Sequence, residues 1–586
     1  MTPVESPRQR SAWILPGALT IACLATRIPG LMKLPIFCDE AIYLRYAQLI
    51  RRAPWRNALV SLVDPKPPLH YWLLAAVFGA TADPLLAGRL LSVAAGLATT
   101  LLVIPLCREL AALPQKETLA ESAGLSSQRN RLTLCACLLF LTCPFLAFYQ
   151  RMALAEALLV SATVLVAWLS LRLARDPSRG ALVLGLAFGS ALLTKQIFSY
   201  TLAALPLTAA ALRWRELGGA SRRSLLSRLA GAFALALLLF SPVLVFDYGP
   251  DLRDRVFFHA SHRKVSGLTL RRERIAADNL RYVFVPGVLG ETPPETLYEG
   301  FQAPADTGWL WISLTPPVYL ASLAGLAALA LRRKARLFLY LSVWIAAMLV
   351  PFVGFATSAV PRYALFAVPP FLLAAAWLLA SAAGRVRGER PGGQAAFLGV
   401  LIIAFLLWPA RSIWLQCTDP ARQPLTRSDY WQYVSGWPAG TASRAAVEAL
   451  EAMAARGPLV VVTSSLVGTP DDVAWTYLDG RSSLCLYYVP WAFREPLLRE
   501  QGGPGAFLLF TGFHGIRRPG FAVTVRPDVP VVYVGMDPYP TAHGVPVAAS
   551  QSVLRLNPGL QEIARFENPP TPGISHRDAI VLYRLR

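Results

Sequence analysis

The sequence is short of acid, of histidine and of cysteine placed for chemistry. Against 56 Lys and Arg stand only 35 Asp and Glu, with 6 His, giving a formal charge of +21. Such a deficit of acid would suit a nucleic-acid binder, but no RNA- or DNA-binding motif accompanies it, so nucleic acid is not an expected partner. The basic residues crowd instead into short segments between apolar runs. Of the eight cysteines, Cys23, Cys107, Cys135, Cys137 and Cys143 lie in apolar runs, where a thiol packs as a small hydrophobe. Cys417 and Cys485 fall further on, and their spacing does not demand a disulfide. Neither an internal repeat nor a long low-complexity tract is present, which leaves repeat architectures out.

What the chain has in quantity is apolar length. It is 55% hydrophobic with a mean hydropathy of +0.45, too apolar for an ordinary soluble protein. Runs of about 17–22 apolar residues recur, each long enough to cross a hydrocarbon core of roughly 30 Å. The runs predict about eleven transmembrane helices, near 12–29, 84–106, 132–149, 157–174, 180–195, 197–213, 229–248, 309–331, 337–355, 363–383 and 395–410. The first run follows Arg8 and Arg10 like a signal peptide. With no small-residue cleavage site after it, it reads as an uncleaved span.

Charge orients the spans. If the N-terminus is cytoplasmic, segments 107–131, 172–180, 213–228, 332–336 and 384–394 are cytoplasmic, and every one is rich in Lys and Arg. The opposite short turns carry one cation each. The expectation is a multi-pass protein of a bacterial-type inner (plasma) membrane. Its longer outer loops are 30–83 and 249–308. The first reads as two short helices along the interface, anchored by Tyr43, Tyr46, Trp55, Tyr71 and Trp72. The second is basic, with Arg253, Arg255, His259, His262, Arg263, Lys264, Arg271, Arg272 and Arg274. That suits a solvated face or a phosphate-bearing lipid.

From Arg411 the character changes. Short β-rich runs, Leu459 to Thr463, Leu484 to Val489, Phe507 to Thr511, Val529 to Val534 and Ile580 to Tyr583, alternate with Pro/Gly turns and a helical stretch, Ser443 to Ala455. The expected division is a transmembrane domain over 1–410 and a soluble extracytoplasmic α/β or α+β domain over 411–586. Trp431, Trp437, Trp475 and Trp491 could stack on sugars there, although tryptophan in a small domain is more often core.

Ionisable residues beside spans are costly unless they meet one another or a ligand. On the expected outer face these are Asp39, Glu40, Lys66, Arg151, Glu156, Lys195 and Arg362. They sit in CDEAIYLRY, DPKPPLHYW, RMALAE, LTK and PRYALFAVPP, in that order. Together these five segments resemble the GT-C glycosyltransferases that use lipid-phosphosugars, nearest to the aminoarabinose transferase and protein O-mannosyltransferase group. The resemblance covers roughly residues 10–380. It implies transfer of a sugar from a polyprenyl-phosphate donor to an envelope acceptor, a lipid, glycan or protein, on the extracytoplasmic face, with inversion at the anomeric carbon.

The same resemblance assigns roles. Asp39 matches the acid of the first outer loop, a catalytic base or acceptor-orienting carboxylate. Glu40 beside it orients Asp39 or binds metal, against a plainer salt bridge to Arg45. Glu156 matches a second acid, more often Asp in the family, and with Asp39 or Glu40 it is the candidate metal ligand. Hard oxygen ligands would favour Mg²⁺ or Mn²⁺, and metal dependence stays open. Lys66, Arg151, Lys195 and Arg362, with Tyr363 beside the last, are candidates for the donor phosphate, whose charge grows as the glycosidic bond breaks. His70 is placed either at the donor or in boundary packing. His259 and His262 lack an evident third metal ligand. A transporter or flippase of a lipid-linked anion is the alternative, but it would place ionisable groups near the midplane rather than gathered at one face. An anchored glycan-binding or sensory protein would not need so many spans.

Overall fold

The computed structural model describes residues 7–63, 66–113, 125–246, 280, 283–284, 308–332, 334–355, 360–385, 391–464, 468–489, 499–500, 507–508, 528–537, 549–570 and 577–585. The basic segment with His259 and His262, together with Trp491, lies outside them.

A helix occupies each of the eleven apolar ranges. With two more in the first loop, the main helices are α1 (Pro7–Arg27), α2 (Cys38–Arg52), α3 (Leu69–Val77), α4 (Pro84–Ala111), α5 (Leu125–Thr142), α6 (Ala155–Arg175), α7 (Ala181–Thr194), α8 (Ala204–Arg213), α9 (Gly219–Phe246), α10 (Pro316–Leu331), α11 (Ala335–Phe355), α12 (Val368–Arg385) and α13 (Pro391–Thr418). Among the described residues, five stretches are long and apolar enough to cross a membrane: Pro84–Ala111, Ala155–Arg175, Gly219–Val245, Ala335–Val353 and Pro361–Ala383. Trp13–Arg27, Ala181–Thr194 and Pro316–Leu331 are shorter apolar helices. The start of α4 shows how the sequence sets these ends. Asp83 caps it, accepting from the Leu85 amide at 2.8 Å, and Pro84 fills the first helical position where no amide partner is needed.

Beyond α13 come α14 (Thr441–Ala454) and a five-stranded mixed sheet of β1 (Leu459–Ser464), β2 (Leu484–Val489), β3 (Val531–Asp537), β4 (Gln561–Glu567) and β5 (Ala579–Arg584). The order is β2-β1-β3-β5-β4, with β1 parallel to β2 and β3, and β5 antiparallel to β3 and β4. The run from Phe507 is strand over Phe507–Leu508, paired with Arg499–Glu500. The described cysteines are free, Cys417 and Cys485 included.

The first loop departs from the expected interfacial helices. Tyr43, Tyr46 and Tyr71 are buried and meet edge to face, with centroids 5.1 and 5.5 Å apart. Trp72 is half-buried, its indole N–H donating to Ala58 O at 2.6 Å, and only Trp55 stands free, 98% exposed. The reason is that α2 is covered on both sides. One face meets the helical bundle; the other meets the C-terminal part. The Cys38 amide donates to Pro438 O at 3.0 Å. Gly440 and Gly468 allow this approach, since a Cβ there would sit 1.8 Å from Ile36 O and 2.4 Å from Cys38 O. Arg45 lies over the Trp475 ring at 4.2 Å and pairs with Asp479 at 2.5 Å, joined by Arg52 at 2.7 Å. Trp431 and Trp437 are core, and Trp475 is stacked on Tyr488 at 4.5 Å, so these three side chains are engaged within the protein.

Candidate functional site

Five elements end at one place. Asp39 is in the first turn of α2 and Glu156 in the first turn of α6, where free amides and the helix dipole favour a carboxylate. Lys195 follows α7 directly, at the end that favours a cation. Lys66 precedes α3, and Arg362 and Tyr363 lie in the 3₁₀ segment Pro361–Ala367 that leads into α12.

The charges interlock. Arg362 Nη1 donates to Asp39 Oδ2 at 2.7 Å, and Lys66 Nζ lies 3.9 Å from Asp39 Oδ1. Lys195 Nζ donates to Glu156 Oε1 at 2.7 Å, and Arg362 Nε lies 4.0 Å from that same oxygen. Among the described residues, three cations thus face two carboxylates in these ion pairs. Aromatic rings line the cluster: Lys66 lies over Tyr43 at 4.9 Å, Lys195 over Tyr363 at 5.0 Å, and Arg362 near Phe37 at 5.8 Å and Tyr363 at 5.9 Å. Glu156 forms the floor at 0% exposure, while Arg362, Asp39, Lys195 and Lys66 keep 14, 16, 21 and 27%. Two polar atoms are buried here without a hydrogen-bond partner, Glu156 Oε2 and Arg362 Nε.

Burial alone would push the Asp39 carboxyl up, but Arg362, Lys66 and Lys195 outweigh it and hold its pKa down to about 2. A carboxylate held so low is a weak proton acceptor, better suited to orienting a hydroxyl than to taking its proton outright. His70 lies beside Tyr43 and Tyr71, its Nε2 3.4 Å from Ala153 O. Burial lowers its pKa to about 4, so the ring is neutral.

Two expected site residues lie elsewhere. Glu40 turns to the opposite side of α2 and is saturated. Arg89 donates to it from Nε at 2.9 Å and Nη2 at 2.7 Å, and the amides of Phe37 and Ala153 add bonds of 2.9 and 2.6 Å. Its salt bridge is therefore to Arg89, not Arg45, and it has no oxygen left for Asp39 or a metal. Arg151 spends its guanidinium on backbone: Nη1 donates to Arg27 O at 2.7 Å, and Nη2 to Pro29 O at 2.8 Å and Gln416 O at 3.1 Å. It ties α1 to α13 rather than facing a phosphate. Arg89 went unnoticed in the sequence, although a lone arginine in the second turn of an apolar helix is itself a signal.

The donor set fits an anion and not a divalent cation. Among the described residues no group of three or more His, Cys, Asp or Glu side chains comes together that could hold a metal ion. Asp39 and Glu156 already carry cations, which an incoming metal would have to displace, and Glu40 is sealed away. The expected Mg²⁺ or Mn²⁺ site at Glu156 with Asp39 or Glu40 does not fit this arrangement.

No protein-family model and no curated protein sequence matches the chain. Solved structures do. The chain has the fold of the GT-C membrane glycosyltransferases. It is similar over nearly its whole length to ArnT, the aminoarabinose transferase of Cupriavidus metallidurans. With ArnT bound to undecaprenyl phosphate the TM-score is 0.52 at 14% identity, covering 98% of each chain. With the apo state it is 0.51 at 16%, covering 99% of this chain and 98% of that one. A weaker match, at a TM-score of 0.49 and 14% identity, is the apo Archaeoglobus fulgidus oligosaccharyltransferase. The match covers 79% of this chain, which spans 63% of that protein's length.

Proposed function

We propose that the chain is a membrane glycosyltransferase that moves a sugar from a polyprenyl-phosphate donor to an envelope acceptor, with inversion, on the extracytoplasmic face. The observation that carries this reading is the gathering of Lys66, Lys195 and Arg362 with Asp39 and Glu156 at one partly exposed place rimmed by aromatic rings. A phosphodiester group is an anion that three such cations can hold. As the bond from the anomeric carbon to the phosphate oxygen breaks, polyprenyl phosphate leaves with the bonding electrons. Fixed cations are worth most at that moment, when the charge on the leaving oxygen grows. Asp39, held ionised, orients the acceptor hydroxyl, whose oxygen forms the new bond and whose proton is released. Undecaprenyl phosphate bound to ArnT supports a polyprenyl phosphate as the leaving group here. The positive-inside pattern supports placing this end, and the C-terminal part, outside the cell membrane with the N-terminus cytoplasmic.

A transporter or flippase is the second reading. Against it, among the described residues the buried charges on these helices lie at helix ends: Arg27 on α1, Arg89 and Glu109 on α4, Glu156 on α6, Arg213 on α8. The test uses purified protein in nanodiscs with a panel of undecaprenyl-phosphate hexoses and pentoses and envelope acceptors. Release of undecaprenyl phosphate from one donor, lost in Asp39→Asn at normal yield, is the expected result. Binding without turnover, indifferent to Asp39→Asn, would transfer the case to transport.

A further inference from the structure

The floor of the cluster has unused capacity. Glu156 is fully buried, and only one of its two carboxylate oxygens is used: Oε1 takes Lys195 at 2.7 Å, while Oε2 has no hydrogen-bond partner. A buried carboxylate oxygen left idle is costly, and the exceptions in folded proteins need a reason. A second idle atom belongs to the residue next to it. Arg362 donates through Nη1 to Asp39, but its Nε, 4.0 Å from Glu156 Oε1, is also buried without a partner. One atom is a strong acceptor and the other a charged donor. A hydroxyl, of a sugar or of water, has the matching pattern: its oxygen accepts from Nε–H and its proton goes to Oε2. A phosphate oxygen cannot do this, because it has no proton for Oε2. A carbonyl or a methyl would leave the carboxylate oxygen idle.

We propose that Glu156 Oε2 and Arg362 Nε together read a hydroxyl of the donor sugar, on the carbon next to the one that carries the phosphate. This rests on the glycosyltransferase reading above. The position follows from the neighbours. Lys195, offered to the phosphate, donates to Glu156 Oε1 at 2.7 Å and Arg362 Nε lies 4.0 Å from it, so a group meeting Oε2 lies within one sugar ring of that phosphate, and the carbon beside the anomeric one carries the nearest hydroxyl. The pair therefore selects sugars with a free vicinal hydroxyl and rejects donors that lack or block it. It also gives Glu156 a role that a metal ligand would not have.

The experiment compares kcat/KM for each undecaprenyl-phosphate sugar that turns over with that for its 2-deoxy counterpart. It uses full-length wild type, Glu156→Gln and Arg362→Lys, the last keeping the charge but removing Nε. Binding of undecaprenyl phosphate without sugar is measured alongside. In wild type the deoxy donor is expected to be slower by about 10- to 100-fold, the worth of one hydrogen bond to a charged group. In both variants that ratio should fall towards unity. A merely structural Glu156 would slow both donors alike and leave the ratio unchanged, which overturns the proposal. So does a wild-type ratio near unity, which would mean that a water fills the place and which can be read even if a variant fails to fold. If no donor turns over at all, the transferase reading fails first.

Discussion

Asp39 and Glu40 are neighbours in sequence, and they divide the molecule between them. Asp39 faces a partly exposed cluster in which each carboxylate is shared among cations and some polar atoms have no partner. Glu40 faces a sealed brace. Arg89 clamps it through two nitrogens and uses its remaining donors on the carbonyls of Leu31, Leu34 and Pro35. Arg151 and Arg27 extend that brace. Arg27 reaches Gln150 Oε1 at 3.1 Å and Leu141 O at 2.7 Å. A small cavity of about 10 Å³ lies among these residues, lined by Gly30, Leu31, Arg89, Phe148, Arg151 and Gln416, away from the charge cluster. The lesson is that burial and charge do not by themselves mark a site. What separates the two buried carboxylates is saturation: Glu40 in the brace has both oxygens bonded, and Glu156 in the cluster has one oxygen without a partner.

That difference can be broken experimentally, and the largest effect is expected in the brace. Arg89→Met strands the Glu40 carboxylate at 0% exposure, and removing one partner of such a pair costs about 3–5 kcal/mol. Thermal unfolding should show it as a large drop in midpoint; a midpoint near wild type would mean that the brace does not hold the fold. The next effect is a pH dependence. The folded pKa of Asp39 is held down to about 2, below the roughly 3.9 of an unfolded aspartate. Its contribution to stability is thus present above the unfolded value and lost as pH falls from there through about 2, an effect of order 2 kcal/mol. The difference in unfolding free energy between wild type and Asp39→Asn should be constant near neutral pH and close below pH of about 4. The smallest effect lies at the far end of the bundle. Glu216 pairs with Arg336 and lies 3.7 Å from Arg213, with its own side chain 35% exposed. Glu216→Gln should cost under about 1 kcal/mol and leave turnover unchanged, measured by unfolding and donor release.

Much of the cluster was legible from the chain because membrane segments make ionisable residues conspicuous. Asp39, Lys66, Glu156, Lys195 and Arg362 each interrupt or flank an apolar run, and compensation had to come from elsewhere in sequence. Which of two adjacent acids faced the site was not legible. Successive helical residues are rotated by about 100°, so Asp39 and Glu40 had to diverge, but nothing local says which way. Arg151 looked like a phosphate ligand because its partners are carbonyls, which every sequence contains and none advertises. The tyrosines of the first loop resembled interface anchors because the covering C-terminal part is remote in sequence. Its Pro438, Gly440 and Gly468 meet residues Ile36 and Cys38 some 400 positions earlier. Buried hydroxyls next to the cluster were missed for the same reason: Tyr433 donates to Tyr149 at 3.2 Å and packs on Phe37 at 4.6 Å.

The most direct test of the division is to measure donor turnover and unfolding midpoint together for Arg362→Gln, in nanodiscs, with an undecaprenyl-phosphate sugar that wild type uses. Arg362 touches both carboxylates of the cluster and none of the brace. Turnover should fall by about 10²- to 10³-fold, as for loss of one fixed charge-stabilising donor, with a midpoint much nearer to wild type than that of Arg89→Met. Turnover close to wild type, or a loss of activity that merely tracks a collapse in stability, would contradict it.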